Sequence, residues 1–195
     1  QAEAELFVTA ANQTVKYVDG GQRQVALKIS SGTANLYLEG MYGNVTVSGK
    51  TILIGGGEAV SLQRLDLTES SSKTAIAFTV KGDGEAELGG ITGAALGKLS
   101  AKRVDLTGNI QLTQSLGTLV LNNINDGVQI VSPAYIKGAS LTAADLGQNV
   151  TIDIAGTVKT FQVNTFAGGS LTADVIKAVK VIQGNLGADV TSQTG

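Results

Sequence analysis

The sequence contains no cysteine, no histidine and no tryptophan among its 195 residues. Without cysteine the chain forms no disulfide, no thiolate metal site and no thiol nucleophile. Without histidine it lacks the commonest general base and metal ligand. Because these absences remove the side chains that much enzyme chemistry uses, we expect a non-enzymatic protein with no cofactor.

Aromatic residues make up only 4% of the chain and proline occurs once, whereas 26 residues are glycine. The hydrophobic fraction of 43% therefore consists mainly of Val, Ile, Leu and Ala. Branched aliphatic side chains suit pleated strands. With 15% charged residues, the chain is apolar enough to bury a substantial core.

Long apolar runs are also missing, since a stretch such as Ile52-Leu53-Ile54 is only long enough for a strand. A membrane-spanning helix needs roughly 18 to 20 apolar residues, so the sequence predicts no membrane insertion. A net charge of -2 and a pI near 5.1 give no electrostatic basis for binding phosphate backbones. We therefore expect no nucleic-acid partner.

A repeat of about 20 residues runs through the C-terminal half of the sequence. Five segments align when they start at Leu96, Leu116, Ile136, Val158 and Ile176, which are 20, 20, 22 and 18 residues apart. From each start, apolar residues recur three and five positions later, the alternation of a half-buried strand. These pairs are Leu99 and Ala101, Leu119 and Leu121, Ala139 and Leu141, Phe161 and Val163, and Val179 and Val181.

Each segment continues with a third apolar position, a turn rich in Gly, Asn and Asp, and a second strand. The third positions are Val104, Ile124, Leu146, Phe166 and Leu186, and the second strands are predicted to begin at Ile110, Val128, Val150, Leu171 and Val190. Short strands at this period, with no room for a helix, are typical of a β-solenoid. The sequence therefore predicts an all-β fold, a parallel β-helix with coils of about 20 residues.

Stacking of the coils accounts for the repeat, because equivalent residues must lie above one another at roughly 4.8 Å. The shared offset predicts one inward column of Leu99, Leu119, Ala139, Phe161 and Val179. The first half is less regular, and we predict coils of uneven length over residues 35–56 and 61–82. Residues 1–30 are expected to form an irregular N-terminal cap within a single domain of residues 1–195, since no linker or charge block divides the chain.

The acidic residues Asp83, Glu85 and Glu87 alternate in "VKGDGEAEL" and would project from one face of a strand. Such an arrangement suits a calcium site or an acid pair. The full calcium-binding nonapeptide pattern is absent, so a solvated outer face is the favoured interpretation. These three residues are weak metal candidates, and no catalytic or cofactor-binding residue is assigned.

Four lysines follow one or two positions after successive coil starts and predict a ladder on an outer face: Lys98, Lys137, Lys159 and Lys177. Such a ladder would bind anionic glycans or surfaces. Alternatively, outward lysines only keep a sheet soluble and discourage edge pairing.

The segments "GNIQLT", "QNVTIDIAG" and "GNLGADVTSQTG" resemble coils of bacterial surface β-helix proteins, the autotransporter passenger domains and filamentous haemagglutinin-like adhesins. The resemblance covers about residues 90–195. It implies a secreted or cell-surface location and a stalk, adhesive or matrix role, and related lyases use such a fold to cleave polysaccharides. We expect a structural or adhesive solenoid; the alternative is a carbohydrate-active β-helix, as a lyase or hydrolase, or a glycan-binding module.

The final turn, "GNLGADVTSQTG", completes a coil without the distinct cap that stacked-repeat proteins need. An uncovered coil leaves backbone groups available for another strand layer. The sequence thus predicts either continuation in a longer polypeptide or end-to-end self-association into a filament.

We predict no hydrolase or lyase activity on acidic or neutral polysaccharides, because the sequence shows no catalytic constellation. Reducing-end and unsaturated-product assays on the purified chain should show no turnover. Measurable turnover that disappears in Asp83→Asn or Glu85→Gln would contradict this prediction and support the enzyme alternative.

Overall fold

The computed structural model describes residues 4–55, 59–184 and 186–193. Its regular elements in these residues are β-strands, and no helix long and apolar enough to cross a membrane occurs among them. The chain forms a parallel β-solenoid of about six turns, with coils about 20 residues apart. The predicted fold class is therefore confirmed.

The strands fall into an irregular N-terminal group and a group that winds into coils. The first group contains β1 (Ala4–Ala11), β2 (Thr14–Val18), β3 (Gln24–Ser30), β4 (Thr33–Met41), β5 (Val45–Ser48) and β6 (Thr51–Ile54). The second contains β7 (Ala59–Glu69), β8 (Ala75–Lys81), β9 (Ala86–Leu88), β10 (Ile91–Gly93), β11 (Leu96–Ala101), β12 (Val104–Leu106), β13 (Ile110–Leu112), β14 (Leu116–Leu121), β15 (Gln129–Thr142), β16 (Asp145–Leu146), β17 (Val150–Val163), β18 (Thr165–Ile176), β19 (Val179–Val181) and β20 (Leu186–Ser192).

Strand pairing defines three faces of the solenoid. The first face runs β1, β4, β7, β10, β13, the N-terminal parts of β15 and β17, the C-terminal part of β18, and β20. The second face runs β5, β6, β2, β3, β8, β11, β14, the C-terminal parts of β15 and β17, and β19. The third face is narrower and contains β9, β12, β16 and the start of β18.

The N-terminal group pairs mainly antiparallel, unlike the coils. On the first face β1 pairs with β4 and β4 with β7 in antiparallel register, and on the second face β3 is antiparallel to both β2 and β8. β5 and β6 form a hairpin around Gly49, whose φ of 56° suits glycine in a tight turn. The prediction of a coil over residues 35–56 is therefore wrong, because alternation looks the same in a parallel and an antiparallel strand. Residues 61–82 do contribute to a coil, since β7 and β8 pair in parallel with β10 and β11.

An inward column crosses the second face from coil to coil. Its members pair in register as Ile76, Leu99, Leu119, Leu141, Phe161 and Val179. The predicted place of Ala139 in this column is wrong, since Ala139 is buried but pairs with Val158. The cause is irregular register in β15 between Ser132 and Ser140, which moves the equivalent position two residues along the chain.

Two further columns show the same kind of displacement. On the third face Ile124 pairs with Leu106 rather than with the predicted Val104, and the column continues through Leu146 and Phe166. On the first face the equivalents of Ile110 are Ile130 and Ile152, two residues beyond the predicted Val128 and Val150, followed by Leu171 and Val190 as expected. The displaced residues are all buried, so burial alone does not reveal the register.

Some corner glycines are required because consecutive coils approach closely there. A Cβ on Gly117 would lie 2.0 Å from the carbonyl oxygen of Gly97, and a Cβ on Gly108 would lie 1.4 Å from that of Gly89. Real Cβ atoms do not approach backbone so closely, so any other residue would push the coils apart.

We predict that Leu121→Asp unfolds the solenoid locally or globally, whereas Val120→Asp is tolerated. Leu121 is 4% exposed, and its neighbour Val120 points outward, in register with Ser100 and Thr142. A lone buried carboxylate should lower the free energy of unfolding by more than about 3 kcal/mol. Urea unfolding followed by circular dichroism measures both variants, and equal losses would show that this register is wrong.

Candidate functional site

The acidic residues singled out in the sequence do not form a cluster. Asp83 and Glu85 lie in the loop between β8 and β9, and Glu87 lies on β9, with all three side chains exposed. In the part of the chain that the structure describes, no group of three or more Asp or Glu residues is placed to hold a metal ion. Arg103 holds this loop in place by donating hydrogen bonds to the carbonyl oxygens of Val80 and Gly82 at 3.0 and 2.6 Å.

The four lysines of the predicted ladder do not share one row. Lys98 lies in register with Thr118, Ser140 and Thr160, so it is one residue out of step with Lys159. The Lys159 side chain instead lies across Gly138 of the preceding coil. The side chain of Lys137 lies outside the described part of the structure. The ladder prediction is therefore wrong in its register.

A polar and aromatic cluster occupies the outer surface of the first face, on β1, β4, β7 and β10. The rings of Phe7 and Tyr37 meet edge to face at 5.2 Å between centroids, and the Arg64 guanidinium stacks over Tyr37 at 4.2 Å. Arg64 Nε lies 2.8 Å from an oxygen of Asp66, which also accepts a hydrogen bond from the Thr92 hydroxyl. We call Phe7, Tyr37, Arg64, Asp66 and Thr92 the Arg64 cluster.

Arg64 and Asp66 each stabilise the ionised form of the other. The hydrogen bond to Asp66 raises the pKa of the Arg64 guanidinium, with a smaller contribution from Tyr37. Partial burial opposes ionisation of Asp66, but hydrogen bonds from Thr92 and Arg64 outweigh it and lower the pKa of the carboxyl group. Asp66 is therefore ionised at neutral pH and cannot act as a proton donor there.

Two shallow clefts flank Arg64. One, of about 310 Å³, is bordered by Glu5, Glu39 and Gln63, and the two glutamates lie directly opposite each other on β1 and β4. The other, of about 180 Å³, lies where Gly89 and Gly90 leave space beside Arg64. The half-buried Tyr37 ring, with amide and carboxylate groups around it, can bind a polar ligand by contact and hydrogen bonding.

A second ion pair has a structural role. Asp19 is 5% exposed, and its carboxylate accepts bonds from the backbone N–H groups of Gly21 and Arg23 at 3.0 and 2.9 Å. Arg23 Nε completes the pair at 2.7 Å from the other oxygen. Burial, together with the charge of Asp19, raises the pKa of the Tyr17 phenol. These contacts fix the turn between β2 and β3. Because both carboxylate oxygens of Asp19 are used in them, we assign this residue a structural role.

Large exposed hydrophobic residues occur only near the two ends of the solenoid, within the described residues. Near the N-terminal end they lie on β1, β4, β5 and β6; at the C-terminal end they lie on or beside β18, β19 and β20. The first group is Phe7, Met41, Val45, Val47 and Leu53, and the second is Val175, Val179, Ile182, Leu186 and Val190.

Comparisons of the chain with protein-family models, with curated proteins and with solved structures find no match. The sequence analysis missed the Arg64 cluster. The available signal was the pair Arg64 and Asp66 at alternate positions of "SLQRLDLTE", which places both outward on one strand. Their contacts with Tyr37 and Thr92 depend on strand pairing between distant segments, so no local pattern could reveal them.

We predict that the stability contributed by Asp66 depends on pH. Because the pKa of Asp66 is lower in the folded chain than the unfolded value of about 3.9, its contribution is present above that value and is lost as the pH falls through the folded pKa. Asp66→Asn should lower the free energy of unfolding by about 1 kcal/mol at pH 7, and by less near pH 2.5. Asp153→Asn is the control, since Asp153 is exposed in the same outward row. A deficit independent of pH would contradict this prediction.

Proposed function

We propose that this chain is a non-enzymatic structural or adhesive β-solenoid, and that it forms part of an extended extracellular structure such as a stalk, matrix or filament. The observation that carries the proposal is the confinement of exposed large hydrophobic residues to the two ends. Isolated apolar side chains on a surface need no explanation, but a contiguous apolar patch marks a contact surface.

The C-terminal end is the better defined of the two contact surfaces. All three inward columns terminate there in partly exposed residues, Val179, Leu186 and Val190, at 38%, 43% and 37% exposure. Their equivalents one coil earlier, Phe161, Phe166 and Leu171, are fully buried. Another β-layer on this end would therefore bury the last members of each column, just as each coil buries the one before it.

The backbone of the last coil supports the same contact. β19 pairs with β17 and β20 with β18, and the described residues provide no strand on their other edges. An edge strand with apolar side chains is a template for a further strand. A partner on this end would continue the ladders of the first and second faces.

The secreted or cell-surface location rests on the resemblance of the coil sequences to bacterial surface β-helices. Those proteins use stacked coils to build long, stiff structures outside the cell. The filled columns of this chain suit the same use, because the apolar interior is continuous from Ile76 to Phe161 along the second face.

We predict that the purified chain self-associates through its C-terminal coil. Light scattering and sedimentation across a concentration series should show association for the unmodified chain and a dissociation constant at least ~10-fold weaker for Val190→Lys, because a charge would have to be buried in the contact. Val131→Lys is the matched control, since Val131 lies outward in the middle of the first face, between Gln111 and Asp153.

Both variants should keep the unfolding free energy of the parent chain, which urea titration measures. A chain that stays monomeric at high concentration would overturn the proposal of end-on association. Equal weakening by both variants would show that association occurs through the sides of the solenoid, and would overturn it as well.

A further inference from the structure

Charged residues are divided by sign among the faces of the solenoid. The described strands of the second face contain no Asp or Glu, and every charged residue in them is a lysine. Those whose side chains the structure describes are Lys16, Lys28, Lys81, Lys98, Lys159 and Lys180. The net charge of -2 therefore conceals one wholly cationic face.

The other two faces have the opposite charge. The described strands of the first and third faces contain a single basic residue, Arg64, which is paired with Asp66. Their acidic residues are Glu5, Glu39, Asp66, Glu69, Asp153, Asp174 and Asp189 on the first face and Glu87, Asp105 and Asp145 on the third. A protein surface stays soluble when positive and negative residues are interspersed. Solubility therefore does not explain why positive and negative residues lie on different faces here.

The lysines of the second face are available to a partner. All six are exposed. One ion pair joins Arg23 to Asp19 and another joins Arg64 to Asp66, and neither includes one of these six lysines. Because like charges on one sheet repel, an anion bound across this face would relieve that repulsion.

A groove of about 380 Å³ lies on the second face between two of these lysines. Lys16 is in register with Ala26, and Lys81 with Gln24, so both lysines border the outer surface of β3. The small Ala26 side chain leaves the depression, and Val18 and Leu53 give it apolar walls. A sugar ring offers matching chemistry, with apolar C–H surfaces and hydroxyl groups that Gln24 can bond.

We propose that the second face binds a linear anionic polysaccharide. One sugar unit occupies the groove between Lys16 and Lys81, and acidic groups of neighbouring units lie against the other lysines. This binding activity goes beyond the proposed structural role and does not depend on it.

A polysaccharide fits this face better than a nucleic acid does. Base recognition without sequence readout needs exposed aromatic rings for stacking. The aromatic side chains described on the strands of this face do not offer such rings, since Tyr17 and Phe161 are buried and Phe78 is half-buried. Arginine, which forms paired bonds to phosphate, is absent from the same strands.

The test measures binding of the full chain to polygalacturonate, dextran sulfate, neutral dextran and a single-stranded oligothymidylate by affinity electrophoresis and titration calorimetry. We expect binding to one or both anionic glycans, no binding to dextran, and a loss of affinity on the order of tenfold between 50 and 200 mM salt if about two acidic groups are contacted. The two anionic glycans distinguish carboxylate from sulfate as the preferred group.

The variant Lys16→Gln/Lys81→Gln should weaken binding at least ~10-fold, with no change in thermal unfolding. Its matched control is Lys73→Gln/Lys102→Gln, which removes the same charge from turns outside the strands of the second face and should change affinity less than about twofold. Equal loss in both variants, equal binding of neutral dextran, tighter binding of the oligothymidylate, or no binding of either anionic glycan would each overturn the proposal.

Discussion

The structure depends on one constraint, the stacking of each coil on its equivalent in the coil before it. Backbone groups of equivalent residues must meet across roughly 4.8 Å, so the side chains inside form columns, such as Leu99, Leu119, Leu141 and Phe161. A polar side chain within such a column needs a hydrogen-bond partner inside the protein, as the buried Ser132 hydroxyl has in the carbonyl oxygen of Gln114 at 2.9 Å. This stacking explains why the residues inside are aliphatic and why glycine occurs where coils approach closely. It also explains why the identity of the outward polar residues varies from coil to coil.

The same constraint limits where function can lie. Since the columns fill the interior, only the outer faces and the two ends can contact other molecules, and these surfaces differ in chemistry. The first face carries acidic groups and the Arg64 cluster, the second carries lysines, and the ends carry exposed hydrophobic side chains. The proposed groove and the proposed assembly surface at the C-terminal end use different residues, so one solenoid can present both at the same time.

The strand β15 shows how a regular pattern can mislead. Ile136 and Ile176 begin segments with apolar residues at the same offsets, which made Ala139 the predicted equivalent of Leu119 and Phe161. The irregular register of β15 between Ser132 and Ser140 instead brings Leu141 into the column. Extra residues at a corner are accommodated without disturbing the neighbouring coils, as bulges are in other sheets, so the spacing of similar segments does not fix which residues pair.

The sequence by itself determined the fold class, the coil length and most of the buried positions, because alternation and period are local properties that stacking imposes on every coil. It could not determine strand direction in the N-terminal group, the register of β15 or the contacts of Arg64, since these depend on which distant strands become neighbours. The lysines are visible in the sequence, but it is not visible that those within strands share one face. Only the tertiary structure decided that, because the path of the chain around each coil assigns every strand to a face.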